Sequence, residues 1–355
     1  MKNQPSLGTD PELFVVDENQ NVVPASKILD IPLNSANGSI VKDGLQIELH
    51  PTANHCREVL TSNIRGCLLQ LHNHLNSGKL KSKNYKISNK FVIDVNKELL
   101  KELNPEDLAI GCEPDKIAHG SAKSCYIDGT KHFKRYCGGH LHFGSANGYS
   151  SDIEEYHKNV NEIIILMDYF VGLTWVLLDH SEDNKERRKV YGKAGSYRLQ
   201  PHGIEYRVLS NLWMNHPALL SLTFFLARFA LYIATPQIDS LDKKDISIKN
   251  LEKILSHSKL EKIINENDYE QAEIYFKKIM NILLELGWLN PSDVNLIWLF
   301  HKKPEMNCFI NNDIVKNWNL NSVLFKNQQG WNYFKDNFLV KNENIKEYNK
   351  YNIVK

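Results

Sequence analysis

Residues 138–144 read Gly-Gly-His-Leu-His-Phe-Gly, and this segment constrains the chain more than any other. Residues i and i+2 of a β-strand point to the same face. His140 and His142 therefore share a face, with Leu141 and Phe143 opposite. The same rule yields three further polar pairs: Asp10 and Glu12 in GTDPELF, Gln46 and Glu48 in LQIELH, and Glu205 and Arg207 in GIEYRVL. Opposite the last two pairs stand Leu45, Ile47 and Leu49, and Ile204, Tyr206 and Val208, an apolar face suited to packing under helices. A half-solvated antiparallel sheet covers its wet face with neutral or scattered polar groups. Here that face carries carboxylates, imidazoles and a guanidinium. Carboxylates packed side by side are destabilising unless cations compensate. A shared divalent-metal site answers that cost, because the ion keeps the carboxylates ionised. Each pair alone has a plainer account: a strand-start turn at Asp10-Pro11-Glu12, an exposed strand end at Glu48, a cross-strand ion pair at Glu205 and Arg207. Four such faces in one chain favour the shared site.

The donor types narrow the metal. No cysteine lies among these pairs, which argues against structural zinc. Carboxylate oxygens with one or two imidazoles suit Mg²⁺ or Mn²⁺. A cupin-type His-x-His site needs a glutamate a few residues later, and Phe143-Gly144-Ser145-Ala146-Asn147 supplies none. The run ERRKVYGKAGSYR adds Arg187, Arg188, Lys189, Lys193 and Arg198. Such a run is either a solvated loop or, beside carboxylate-bound metal, one side of a triphosphate clamp. Neither G-x-x-x-x-G-K-[ST] nor G-x-G-x-x-G occurs, so the two commonest phosphate cradles are absent.

With 355 residues the chain can bury a large core, and a net charge of +1 argues against a nucleic-acid coat or a polybasic membrane binder. Six cysteines without a C-x-x-C read as reduced thiols, and MKNQPSLGTDPELF has no apolar leader-like run, so a cytoplasmic location is expected. The apolar stretches 163–178 and 218–234 are shorter than about 20 residues and are interrupted by Asp168 and Arg228. They predict core helices rather than membrane spans. Strands are expected at 12–17, within 40–51 and 84–95, at 136–144 and on either side of Gln200-Pro201-His202. Helices are expected at 55–77, about 152–179 and 216–235. The pattern turns helical and polar from about residue 240, which predicts two units: a catalytic domain, 1–240, and a helical extension, 241–355.

GTDPELFVVD resembles the G-x-E-P-E-F-F strand of glutamine synthetase, GGHLHFG its G-x-H-x-H strand, and GIEYRVLSN its I-E-x-R strand. The likeness is closer still to the phage-type carboxylate-amine ligases of the glutamine synthetase-like superfamily, through GTDPE, G-C-x-P-D, GGHxHxG and RR-x-x-YGKAG with its following R-x-x-P-x-G-x-E-Y-R-x-L-S-N-x-W. It covers roughly residues 7–217. It implies an α+β glutamine synthetase-like fold, with a curved antiparallel sheet lining the active site and helices on its outer face. Glu12 and Glu48 then resemble ligands of a first metal. Asp10, His140 and Glu205 resemble those of a second that bridges the phosphates of ATP. Asp10 replaces the family's usual glutamate with a shorter arm. His142 resembles a nucleotide contact, and Arg198 and Arg207 resemble phosphate-binding, transition-state-stabilising groups, with Arg187, Arg188 and Lys193 in the same cluster. A further acidic ligand after the Glu48 strand has no clean match; Glu58 is available but falls in an expected helix. Glu113 and Asp115 of GCEPD suit either substrate-side carboxylates or a turn.

The implied activity is ATP-dependent ligation of a carboxylate to an amine through an acyl phosphate, with two or more Mg²⁺ or Mn²⁺ ions. The alternatives are a kinase of the same fold acting on a guanidino or similar group, and a nucleotide- or metal-binding module without catalysis. A small molecule, a peptide and a modified base all remain open as substrates, and the resemblance leaves a homo-oligomer open.

Overall fold

The structure is a computed structural model and describes residues 5–108, 116–119, 132–144, 154, 156–234, 247–285 and 313–321. Its first strands belong to three different sheets. Ser6–Thr9 joins a five-stranded sheet, Glu12–Leu13 a four-stranded one, and Val15–Val16 a three-stranded one. Pro11 has no N–H to offer a ladder, so the chain leaves the first sheet there and enters the second. The Pro11 carbonyl is taken by the Leu49 N–H at 3.0 Å.

The five-stranded sheet runs in the order Ser6–Thr9, Leu141–Gly144, Gly203–Tyr206, Ser196–Gln200 and Lys116–Ile117, antiparallel throughout. Its register aligns Gly8, His142, Glu205 and Arg198 in one row across four strands. Leu141, Phe143, Ile204 and Tyr206 are completely buried on the other face. In the four-stranded sheet, Glu12–Leu13 pairs with Gln46–Pro51, which pairs with Gly38–Asp43 and then Leu33–Ser35. The hairpin between Gly38–Asp43 and Gln46–Pro51 turns at Gly44, whose φ of 56° suits glycine far better than a side-chain-bearing residue.

The α+β class with antiparallel strands stands. Where a curved sheet was expected, the strands divide among the described residues into four open sheets. The physical reason lies at the breaks. Pro11 ends one ladder, and Gly138-Gly139 separates Lys134–Tyr136, paired with Val92–Asp94, from Leu141–Gly144. The expected strand 12–17 is likewise cut at Phe14, whose carbonyl accepts from the Ser88 N–H at 2.8 Å.

Helix Arg57–Leu75 buries Leu60, Ile64, Leu68, Leu71 and Leu75 at three- and four-residue spacing, against the hairpin of the four-stranded sheet. Behind the five-stranded sheet runs the 19-residue helical stretch Val160–Leu178, with a π turn at Asp168–Gly172. Among the described residues it is the one helix long and apolar enough to cross a membrane, yet almost all of it is buried inside the protein. Asp168 is tolerated there because the Tyr206 hydroxyl donates to Oδ1 and His119 Nε2 bonds Oδ2, each at 2.7 Å. Pro217–Ala234 packs against its first half.

The helices Ile248–Ile254, His257–Glu266 and Tyr269–Glu285 and the segment around Trp318 belong to the same hydrophobic core as the first 240 residues. Arg65 donates to the carbonyls of Trp318 and Asn319 at 3.0 and 2.8 Å, and the buried Trp318 donates from Nε1 to the Met214 carbonyl at 2.6 Å. The described residues after 247 thus share one hydrophobic core with the described residues before 235. The GCEPD motif with Glu113 and Asp115, the turn after Gly144 and the expected boundary near 240 lie outside the described residues.

Candidate functional site

The polar face of the five-stranded sheet meets the edge of the four-stranded sheet where the chain crosses from one to the other, at Asp10-Pro11-Glu12. Two groups of potential ligand atoms form there: Asp10, His140 and Glu205, and Glu12, Asp43 and Glu48. Within each group the atoms lie within 4.8 Å of one another.

In the first group, His140 Nδ1 stands 3.2 Å from both Asp10 Oδ1 and Glu205 Oε1. His142 Nε2 approaches Asp10 Oδ1 to 3.0 Å from the other side. Asp10 Oδ1 is buried and faces both of these nitrogens. Burial opposes ionisation of Asp10, but the His142 and His140 charges outweigh it and hold the carboxyl well below the usual carboxylate range. Glu205 is completely buried. Burial again opposes its ionisation, and the His140 and Arg207 charges again prevail, so its carboxyl is also lowered. Arg207 donates to Glu205 Oε1, Gln200 Nε2 donates to Oε2 at 2.5 Å, and Arg198 Nη1 lies 3.9 Å from Oε2. His142 Nδ1 faces His202 Nε2 at 3.1 Å.

The second group has the opposite electrostatics. Glu12 and Glu48 are directly paired across their strands, and Asp43 reaches them from the neighbouring strand end. Burial, followed by the Asp43 charge, pushes Glu12 well above its ordinary value, although its Oε2 accepts from the Gly138 N–H at 2.8 Å. Burial and the Glu48 charge raise Asp43 to about 6. Glu48 Oε2 is bonded to His50 Nε2 at 2.6 Å, yet three facing carboxylates are still the donor set a hard divalent ion satisfies, so these residues fit such an ion. The first group, two carboxylates and an imidazole, fits Mg²⁺ or Mn²⁺ as well.

Asp10, Glu12, Glu48, His140, His142, Arg198, Glu205 and Arg207, all singled out from the sequence, thus lie together. Lys193 is half-buried in the turn leading into the Arg198 strand. Arg187 and Arg188, expected in the phosphate cluster, require correction. They lie on a helix, Glu182–Val190, not in a solvated loop, and both are buried. Arg187 donates to the Val208 and Leu209 carbonyls at 2.9 and 2.6 Å, whereas Arg188 donates to the Ile264 carbonyl and to Asn267 Oδ1. Backbone oxygens claim these guanidinium groups, so they brace the site rather than bind a phosphate. Glu58 is occupied in the first turn of its helix by Cys56 and Arg57, and Asp43 stands where a third acidic residue was sought. Its signal was the Asp43-Gly44 turn. Folding that hairpin opposes Asp43 to Gln46 and leaves Glu48 diagonal on the same face. Tyr191, whose hydroxyl bonds His140 Nε2, lies within the YGKAG run, but that run gave it no role.

Acids, imidazoles and guanidinium groups thus gather on one face at the junction of the two sheets. The model of the phage phiEco32-like COOH.NH2 ligase-type 2 family matches residues 116–298, over half of the chain, and the chain belongs to that family. In general terms it is a carboxylate-amine ligase. The match runs through the helices after residue 248, where no motif was recognised in the sequence. It begins after Asp10, Glu12, Asp43 and Glu48, which join the site by geometry alone. Neither a curated protein nor a solved structure matches the chain.

Proposed function

We propose that this ligase is ATP-dependent, has a glutamine synthetase-like catalytic fold and works through an acyl phosphate. The observation that carries the reading is the pair of adjoining three-residue ligand groups beside Arg198 and Arg207. Asp10, His140 and Glu205 hold one divalent cation, and Glu12, Asp43 and Glu48 another. Bound there, Mg²⁺ or Mn²⁺ neutralises phosphate charge and orients the oxygens. Arg198 and Arg207 face the same space and stabilise charge on the transferred phosphoryl group, with Lys193 and His142 on the nucleotide side. The γ-phosphoryl passes to the substrate carboxylate, releasing ADP. The amine then attacks the acyl carbon and displaces phosphate, forming the amide. The residues contribute positioning and charge, which is most of what phosphoryl transfer requires.

The test is ADP formation from ATP with pooled carboxylates and amines, followed by mass spectrometry of the products. Turnover that needs both pools and yields an amide supports ligation. A stable phosphorylated product without an amine requirement identifies a kinase instead, and metal-dependent ATP binding without turnover identifies a non-catalytic module. Full activity in Glu205→Ala and His140→Ala would overturn the site assignment.

A further inference from the structure

The two nitrogens of His140 are committed in opposite directions. Nδ1 looks toward Asp10 and Glu205, 3.2 Å from each, while Nε2 is hydrogen-bonded to the Tyr191 hydroxyl. Arg207 touches both ends of this arrangement, with Nη1 3.4 Å from His140 Nδ1 and Nη2 3.3 Å from the Tyr191 oxygen. A guanidinium only donates. In the neutral ring Nδ1 is therefore the acceptor toward Arg207 and bears a lone pair, which leaves the ring proton on Nε2. The Tyr191 oxygen accepts from Arg207, and its second lone pair is available to the Nε2–H. A lone pair on Nδ1 pointed at two carboxylates is repulsive unless a cation lies between them.

Tyr191 is itself held in place. Its ring lies between two guanidinium groups, Arg187 at 4.9 Å and Arg207 at 5.6 Å from the centroid. Arg187 is anchored in turn by the Val208 and Leu209 carbonyls. The contact with His140 also needs Gly138. A Cβ there would strike His140 Nε2 and stand 2.8 Å from the Tyr191 oxygen.

We infer that Tyr191 is a positioning residue that fixes the Nε2–H tautomer of His140, so that Nδ1 is the nitrogen presented to a cation. The inference rests on the cation site proposed above. Tyr191 acts through His140, to whose Nε2 its hydroxyl is bonded. Its work is to decide which nitrogen faces inward and to keep the ring from turning.

The experiment uses the full chain with ¹⁵N-labelled histidines at mildly alkaline pH, the His140 signals being assigned by their loss in His140→Ala. In the unmodified protein the spectrum is expected to show a bare Nδ1 and a protonated Nε2; the reverse tautomer overturns the inference. In Tyr191→Phe the tautomers are expected to mix, and Mn²⁺ affinity, measured by titration calorimetry, to fall about tenfold or more. Tyr197→Phe, which removes a hydroxyl bonded to Asn161, is the control and should change neither readout. If the unmodified chain binds Mn²⁺, His140→Ala weakens that binding and Tyr191→Phe alters neither tautomer nor affinity, the inference fails while the cation site stands. If the unmodified chain binds no Mn²⁺, the cation reading fails, and the tautomers of the unmodified and Tyr191→Phe proteins still decide the role of Tyr191.

Discussion

Glu12 and Glu48 stand directly opposite each other across an antiparallel pair, and Asp43 closes the group from the next strand. Like charges opposed across a ladder destabilise it. The fold accepts this arrangement beside Asp10, whose own carboxyl is stabilised by histidines. Acidic repulsion and histidine-balanced attraction therefore lie side by side at the junction of two sheets.

Divalent cations should accordingly stabilise the chain through the repulsive group. Mn²⁺ or Mg²⁺ is expected to raise the melting temperature saturably, by several degrees, and a chelator to reverse the rise. Asp43→Asn should melt higher than the unmodified protein in chelator, because it removes one repelling charge, and should lose most of the cation-induced gain. Thermal melts of both proteins with and without the metal check this. An Asp43→Asn protein that is less stable in chelator and keeps the full gain would contradict it.

The arginines should separate into two kinds. Arg187→Met removes the donors to the Val208 and Leu209 carbonyls, and leaving buried carbonyls unpaired costs about 1–3 kcal/mol each. Its denaturant midpoint should fall markedly, while the KM for ATP in the folded fraction changes by no more than about twofold. Arg198→Lys, on a half-buried strand position facing Glu205, should shift stability by only about 0.5 kcal/mol and lower kcat by about a hundredfold. Urea melts and steady-state kinetics on both variants distinguish these outcomes.

The two-residue period of strands made much of this junction legible before any coordinates. It grouped His140 with His142 and Glu205 with Arg207, because side-chain direction in extended chain is local geometry, whereas Asp10 and Glu12 fall in separate groups on either side of the crossing at Pro11. Asp43 escaped because its partnership with Glu48 runs diagonally across a hairpin, which appears only once the Asp43-Gly44 turn is folded. Arg187 and Arg188 were misassigned because their partners, the carbonyls of Val208, Leu209 and Ile264, are backbone atoms that leave no mark in composition or spacing. Tyr191 was passed over because its partners, His140 and Arg207, stand far from it along the chain and meet it only once the sheet is folded. The division of Ser6–Val16 among three sheets was equally hidden, since two-residue strands exist only by virtue of what they pair with.

Gly138 links the two groups, and a side chain there should harm both. Its N–H serves Glu12 Oε2, and its bare Cα leaves room for His140 against Tyr191. Gly138→Ala is expected to cost about 1–3 kcal/mol in stability by overpacking. It should also weaken Mn²⁺ binding by more than Tyr191→Phe does, because it displaces the imidazole as well as unpinning it. Calorimetric titration of the two variants side by side gives the order.

His216 supplies a pH dependence away from the acidic junction. It sits between the turn Asn211–Asn215 and the helix Pro217–Ala234, and burial lowers its imidazole from the ordinary 6.5 to about 3. The folded chain therefore keeps this group neutral where the unfolded chain protonates it. As pH falls below about 6.5, the unfolded state gains a proton that the folded state refuses, and stability declines by up to about 1.4 kcal/mol per pH unit until pH approaches 3. Above 6.5 the group contributes no slope. Asn at this position has no proton to gain, so His216→Asn should flatten the acid limb of the stability curve while leaving the slope above pH 7 unchanged. Urea unfolding at a series of pH values from 4 to 8 measures both limbs, and an equally steep acid limb in the variant would assign the loss to other groups.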